Sequence, residues 1–218
     1  MTAAAKPKRP RAELDAYYTP DWPILRFVLA VHEELELLLR DPAARLLEPC
    51  AGDGAIIRVV ESLVAGADRK NWVANDINFR AVARLREQGI YTAHGDALAF
   101  KLDLGVHDAH IAVAITNPKY LANFPLKLAR HLMTQPRPPA FFAMLCRITL
   151  LETPARAKFF REFPPHVYVL PERVSYTGDG QSDNAGAAWF VFRPGQTDSR
   201  LFWLTDDHVQ PGLPLDGE

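Results

Sequence analysis

Residues 109–116 read Ala-His-Ile-Ala-Val-Ala-Ile-Thr and run straight into Asn117-Pro118-Lys119-Tyr120. A short apolar run bounded by a proline turn reads as a strand, and one without polar alternation as a strand covered on both faces. Such strands belong to parallel sheets, whose neighbours are reached through crossover helices. The chain supplies those units. Segments 45–48, 72–77, 90–93, 109–116 and 140–148 are predicted strands. Segments 56–64, 79–88, 121–133 and 154–162 are predicted helices. An earlier helix opens at Asp21-Trp22-Pro23, where Ile24, Phe27, Val28, Val31, Leu35 and Leu38 recur at helical spacing. Segments 167–170, 188–192 and 201–204 are short predicted strands with no helix between them. The expected fold is therefore α/β, a mainly parallel seven-stranded sheet with an antiparallel edge hairpin and helices on both faces. One domain is expected over 17–205, between a flexible basic arm, 1–16, and an acidic tail, 206–218.

Composition narrows the class. The 218 residues are 48% hydrophobic and 23% charged, which is ordinary for a globular chain and excludes wholesale disorder. Cys50 and Cys146 form no CxxC pair, and the seven histidines show no HxxxH or HExxH spacing. Neither a disulfide framework nor a metal site is expected, and the implied compartment is reducing. No apolar run reaches the ~18 residues of a membrane span, so no membrane partner is expected. The formal net charge of −1 gives no overall pull on nucleic acid. Lys6, Lys8, Arg9 and Arg11 make the arm basic, fit either to contact phosphates or to stay solvated.

In open parallel sheets, ligands bind outside the carboxyl ends of the strands. After the first predicted strand comes Glu48-Pro49-Cys50-Ala51-Gly52-Asp53-Gly54, whose small residues let backbone approach a ligand before a helix begins. After the second comes Asp76-Ile77-Asn78, 28 residues beyond Glu48, where a carboxylate can accept from both hydroxyls of a ribose. After the third comes Asp96-Ala97, an acid and a backbone amide suited to an adenine edge. The plain alternatives are a tight turn and two helix caps. Their order on successive strand ends favours an adenosine-containing ligand. Asn117-Pro118-Lys119-Tyr120 after the fourth strand offers an amide oxygen, backbone carbonyls and a flat ring, which suit an exocyclic amine on a planar base. By itself it reads first as a proline turn leaving a strand, capped by asparagine.

Taken together these residues resemble class I S-adenosylmethionine-dependent methyltransferases of the adenine-N6 DNA type, and more narrowly the compact phage and prophage members. Tyr17-Tyr18-Thr19-Pro20 is similar to that family's N-terminal cofactor segment. Residues 47–54 match its glycine motif, and Asp76 and Asp96 its ribose and adenine positions. Asn117-Pro118-Lys119-Tyr120 resembles its Asp/Asn-Pro-Pro-Tyr/Phe motif, with Lys119 where the family has a second proline. Segments 145–152 and 173–180, the latter running on to Trp189-Phe190-Val191, also fit.

The resemblance implies a Rossmann-like class I methyltransferase fold and S-adenosyl-L-methionine as cofactor, held by Tyr18, Thr19, Glu48, Pro49, Ala51, Gly52, Asp53, Asp76, Ile77, Asp96, Ala97 and Asn117. Transfer to adenine N6 in DNA is implied, with Asn117, Pro118, Lys119 and Tyr120 as the catalytic motif and base flipping to deliver the acceptor. Tyr120, Arg147, Tyr176 and Asp183 are the implied acceptor-side residues. DNA is the implied partner, in the cytoplasm of a bacterial or phage-infected cell, within restriction–modification chemistry. Little chain follows Phe192, so recognition is expected from loops, the basic arm or a homodimer. An acceptor in RNA, a protein glutamine amide, or a silent binding module with Lys119 as its mark are the competing readings. The Pro49-Cys50 pair is expected to be packing in the cofactor turn, not a nucleophile.

Overall fold

Strands and helices alternate because the apolar pattern switches period along the chain. The computed structural model describes residues 19–101, 109–175 and 185–205, and the backbone of 208–210. Helix α1 spans Asp21–Leu38 and is followed by β1 (Ala44–Glu48), α2 (Ala55–Leu63), β2 (Trp72–Asp76), α3 (Phe79–Glu87) and β3 (Tyr91–His94). Then come β4 (His110–Thr116), α4 (Phe124–Met133), β5 (Phe141–Arg147), α5 (Pro154–Glu162), β6 (His166–Val169), β7 (Ala187–Phe192), β8 (Arg200–Thr205) and β9 (His208–Gln210). Each predicted strand and helix has its counterpart.

Among the described residues the sheet order is β3-β2-β1-β4-β5-β7-β6-β8-β9. The first seven positions are the expected sheet, with β1 to β5 joined by parallel pairs and β7 antiparallel to β5 and β6. The closing edge differs from expectation. Strand β8 lies beyond β6 and parallel to it, and β9 pairs antiparallel to β8, so the sheet runs on into residues 208–210. With β6 already paired to β7 on one side, its free edge is what remains for β8.

Pleating divides the core cleanly. On β5, Phe141, Ala143 and Leu145 face the layer of α1 and α2, while Phe142, Met144 and Cys146 face the layer of α4 and α5. Helices thus cover both faces, as a near-continuous apolar β4 and β5 require. Helix α1 is fixed at its start: Phe27 stacks on Trp189 of β7 with centroids 4.4 Å apart, and the Trp189 indole donates to the Pro23 carbonyl at 2.9 Å. Both rings are fully buried. This anchor positions Thr19 and Pro20, just ahead of α1. No helix among the described residues is long and apolar enough to cross a membrane.

One predicted helix starts late. The pattern predicts a helix over 121–133, but Leu121–Asn123 forms a 3₁₀ turn and α4 begins at Phe124. Ala122 and Asn123 have φ of 52° and 57°, left-handed values that interrupt the ladder. Pro125 then sits in the first turn, where its missing N–H costs nothing.

Candidate active site

The strand order reverses between β1 and β4, so the crevice of the sheet lies outside their carboxyl ends. Leu47 pairs with Ala114, which sends the glycine turn and the Asn117 loop out of the sheet side by side. The glycine turn is built by backbone geometry. Gly52 and Gly54 have φ of 54° and 78°, and Gly54 caps the start of α2. A Cβ on Gly52 would meet nothing within 4 Å, so this backbone faces open space.

Asp76 holds that turn. Its carboxylate accepts from the Gly52 N–H at 2.8 Å and from the Asn78 N–H at 2.7 Å. It is not the cap of α3; Asn78 is, accepting from the Arg80 N–H. A carboxylate has about four lone-pair directions, so two remain for hydroxyls. Ile77, next in the chain, is 57% exposed although apolar. The exposed Asp96 turns back to its own loop and accepts from the Leu98 N–H at 3.0 Å, beside the buried Ala97. Asp53 pairs with Arg58 at 3.2 Å across the first turn of α2.

At the end of β4, Asn117 is pinned from two sides. Its Nδ2 donates to Thr19 Oγ1 at 2.8 Å, a contact spanning 98 positions, and its Oδ1 accepts from the Tyr120 hydroxyl at 3.1 Å. The Arg147 guanidinium, from the end of β5, lies 5.5 Å from the centroid of the Tyr120 ring. Pro118 is buried and Lys119 exposed.

No family model matches the chain, and no curated protein sequence does. Solved structures do. The M protein of the type I restriction enzyme EcoKI matches over 94% of this chain and 51% of its own, at 15% identity and a TM-score of 0.57. A class I S-adenosylmethionine-dependent methyltransferase of Listeria monocytogenes matches over 88% and 68%, at 16% identity and 0.56. An RNA methyltransferase of Pyrococcus horikoshii matches over 86% and 90%, at 15% identity and 0.57. The chain has the class I methyltransferase fold. It spans about half the length of the EcoKI subunit.

Burial sets the chemistry of two side chains at the glycine turn. Glu48 is 2% exposed, and its Oε2 has no hydrogen-bond partner among the described residues. Burial, then the negative charges of Asp53 and Asp76, hold its pKa well above the usual carboxyl range, against the pull of Arg58 and the Ile57 N–H. Burial pushes the Cys50 thiol up to about 12, with Asp76 adding to it. Cys50 is therefore a protonated packing group, poorly suited to nucleophilic attack.

Asn75 was not among the residues singled out from the sequence. It is 2% exposed, and its Nδ2 donates to the Pro49 and Gly95 carbonyls at 3.0 and 3.1 Å. Its own carbonyl accepts from the Ala51 N–H. One amide thus ties together the turns that follow β1 and β3. The signal was available: an amide in an otherwise apolar strand, Trp72-Val73-Ala74-Asn75. Tyr18, Tyr176 and Asp183 lie outside the described residues. Among the described residues no cluster of His, Cys, Asp and Glu could hold a metal ion.

The turn is sensitive to bulk. A Cβ on Gly54 would sit 2.8 Å from Cδ2 of the fully buried Leu85, at a φ that disfavours side chains. Gly54→Ala is expected to destabilise the protein by about 1–2 kcal/mol. A denaturant midpoint unchanged from the parent would contradict this.

Proposed function

We propose that the chain binds S-adenosylmethionine in the crevice between β1 and β4 and transfers its methyl group to the exocyclic N6 amine of an extruded adenine in DNA. The observation that carries the reading is the Asn117 amide, pinned between Thr19 and Tyr120 beside the glycine turn. The residues present fit the cofactor. Gly52 offers open backbone, Asp76 keeps acceptors for the ribose, and the exposed Ile77 offers a face to the donor's adenine. Asp96 and the Ala97 N–H suit the adenine edge. Pro49, Ala51 and Asp53 shape the turn, and Thr19, bonded to Asn117, stands on its N-terminal side. The unpartnered Oε2 of buried Glu48 suits the methionyl ammonium.

Once bound, a methyl sulfonium is already an activated donor, so the chain's task is positioning, worth up to ~7–11 kcal/mol for a well-oriented pair. Asn117 Oδ1 and the Pro118 carbonyl accept the two N–H groups of the amine. As the amine nitrogen becomes tetrahedral and positive, these acceptors bind it more strongly than in the ground state, which is what accelerates a step. Asparagine takes up no proton at neutral pH, so proton loss follows transfer. Stacking on Tyr120, worth ~1–3 kcal/mol, offsets part of the cost of extruding the base. Lys119, exposed just after β4, is a cation placed where a polyanion's phosphates would pass.

The same pocket suits adenine in RNA, and the likeness to the Pyrococcus RNA methyltransferase over 90% of that chain keeps that acceptor in view. Incubation with methyl-labelled donor and either DNA or RNA, then digestion to nucleosides, separates the two. Label in N6-methyldeoxyadenosine is the expected result. Label confined to RNA nucleosides or to protein would overturn the DNA acceptor.

A further inference from the structure

A proline after Pro118 would fix its own φ near −65° and so the direction in which Tyr120 leaves the loop. This chain has Lys119 there, exposed and with no ring to fix its φ. Downstream, Ala122 and Asn123 hold left-handed conformations that side chains disfavour. A loop so built needs tethers from elsewhere, and the end of β5 and the first turn of α5 supply them. Arg156 donates to the Thr149 carbonyl at 2.8 Å and reaches Asn123 Oδ1 at 3.4 Å, bridging the two loops. Arg147 lies over the Tyr120 ring at 5.5 Å, and the hydroxyl of that ring holds Asn117 Oδ1.

We propose that Arg147 is a positioning residue for the transfer step: its guanidinium holds the Tyr120 ring, and through the Tyr120 hydroxyl the Asn117 amide, in place of a second proline. The inference rests on reading the crevice as a methyl-transfer site. One face of the ring meets the guanidinium, and the opposite face takes the extruded base. The hydroxyl occupies one lone pair of Asn117 Oδ1 and leaves the other for the amine. Arginine suits the task because its planar cation stacks on a ring.

The test combines turnover with a probe that needs none. Arg147→Met is expected to lower kcat about tenfold, with donor affinity and KM for the polynucleotide little changed, since a cation–π contact in a partly desolvated site is of that order. Arg147→Lys should keep part of the rate. Lys119→Pro placed in the Arg147→Met background should recover most of it. In parallel, 3-fluorotyrosine at position 120 should give a sharp fluorine resonance in the parent, broadened and moved by Arg147→Met and sharpened again by Lys119→Pro. A raised KM with unchanged kcat would make Arg147 a phosphate contact and overturn the proposal. An unmoved resonance would overturn it whatever the turnover. A moved resonance in a protein that methylates no acceptor would sink the transfer reading and leave the ring-holding role standing.

Discussion

Asn117→Ala is expected to lower single-turnover methyl transfer by about a hundredfold to a thousandfold, the usual loss when one preorganised polar group at a transition state is removed. The substitution deletes the side-chain oxygen proposed to accept from the amine, and it does more. Thr19 Oγ1 and the Tyr120 hydroxyl, both bonded to this amide, lose their partner together. The N-terminal segment and the aromatic ring are then free of each other, so orientation is lost as well as attraction. Asn117→Asp keeps an acceptor at the same place and should retain more of the rate. Quench-flow with labelled donor reads the step, and calorimetry with the donor alone shows that the crevice still loads. A loss below threefold for the alanine variant would remove Asn117 from the centre of the mechanism.

That network was only half legible in the sequence. Asn117 stood out because it directly follows an eight-residue apolar run, and strand ends are where such sheets bind ligands. Asp76 and the glycines were legible for the same reason, and the Asp76 carboxylate, at the end of β2, accepts from the Gly52 N–H of the turn after β1. What spacing could not show is who holds whom. The bond from Thr19 to Asn117 joins residues 98 positions apart, and the bond from Trp189 to Pro23 joins residues 166 apart. Local pattern carries no record of such pairs. The left-handed Ala122 and Asn123 were hidden because alanine and leucine in that stretch favour a helix, and tertiary tethers such as Arg156 overrode the preference. The parallel placement of β8 was hidden for another reason: short strands without helices between them leave pairing direction open.

Glu48→Gln is expected to act in opposite directions on stability and on donor binding. In the folded chain the Glu48 pKa lies well above its ordinary value of 4.5 because the carboxyl is buried beside Asp53 and Asp76. The unfolded chain therefore releases this proton first. Stability is full below the unfolded pKa and falls as pH rises towards the folded one. Glutamine removes that loss, so the free variant should melt above the parent at neutral pH, and the two should converge below about pH 4.5, where Glu48 is protonated in both states. Donor binding should move the other way. The methionyl ammonium would lose an anionic partner, and a charge-assisted hydrogen bond is worth ~1.5–3 kcal/mol, so Kd should weaken about tenfold to a hundredfold. In the parent, donor binding should shift the Glu48 titration towards the anion, a proton release that calorimetry in two buffers of different ionisation enthalpy reads as pH is varied; in the variant that release should vanish. A variant that melts lower at neutral pH, or binds the donor as tightly as the parent, would mean that Glu48 is an ordinary buried carboxyl stabilised by its turn. The carboxyl that weakens the free fold is, on this argument, kept because it is stabilised only when a cation sits beside it.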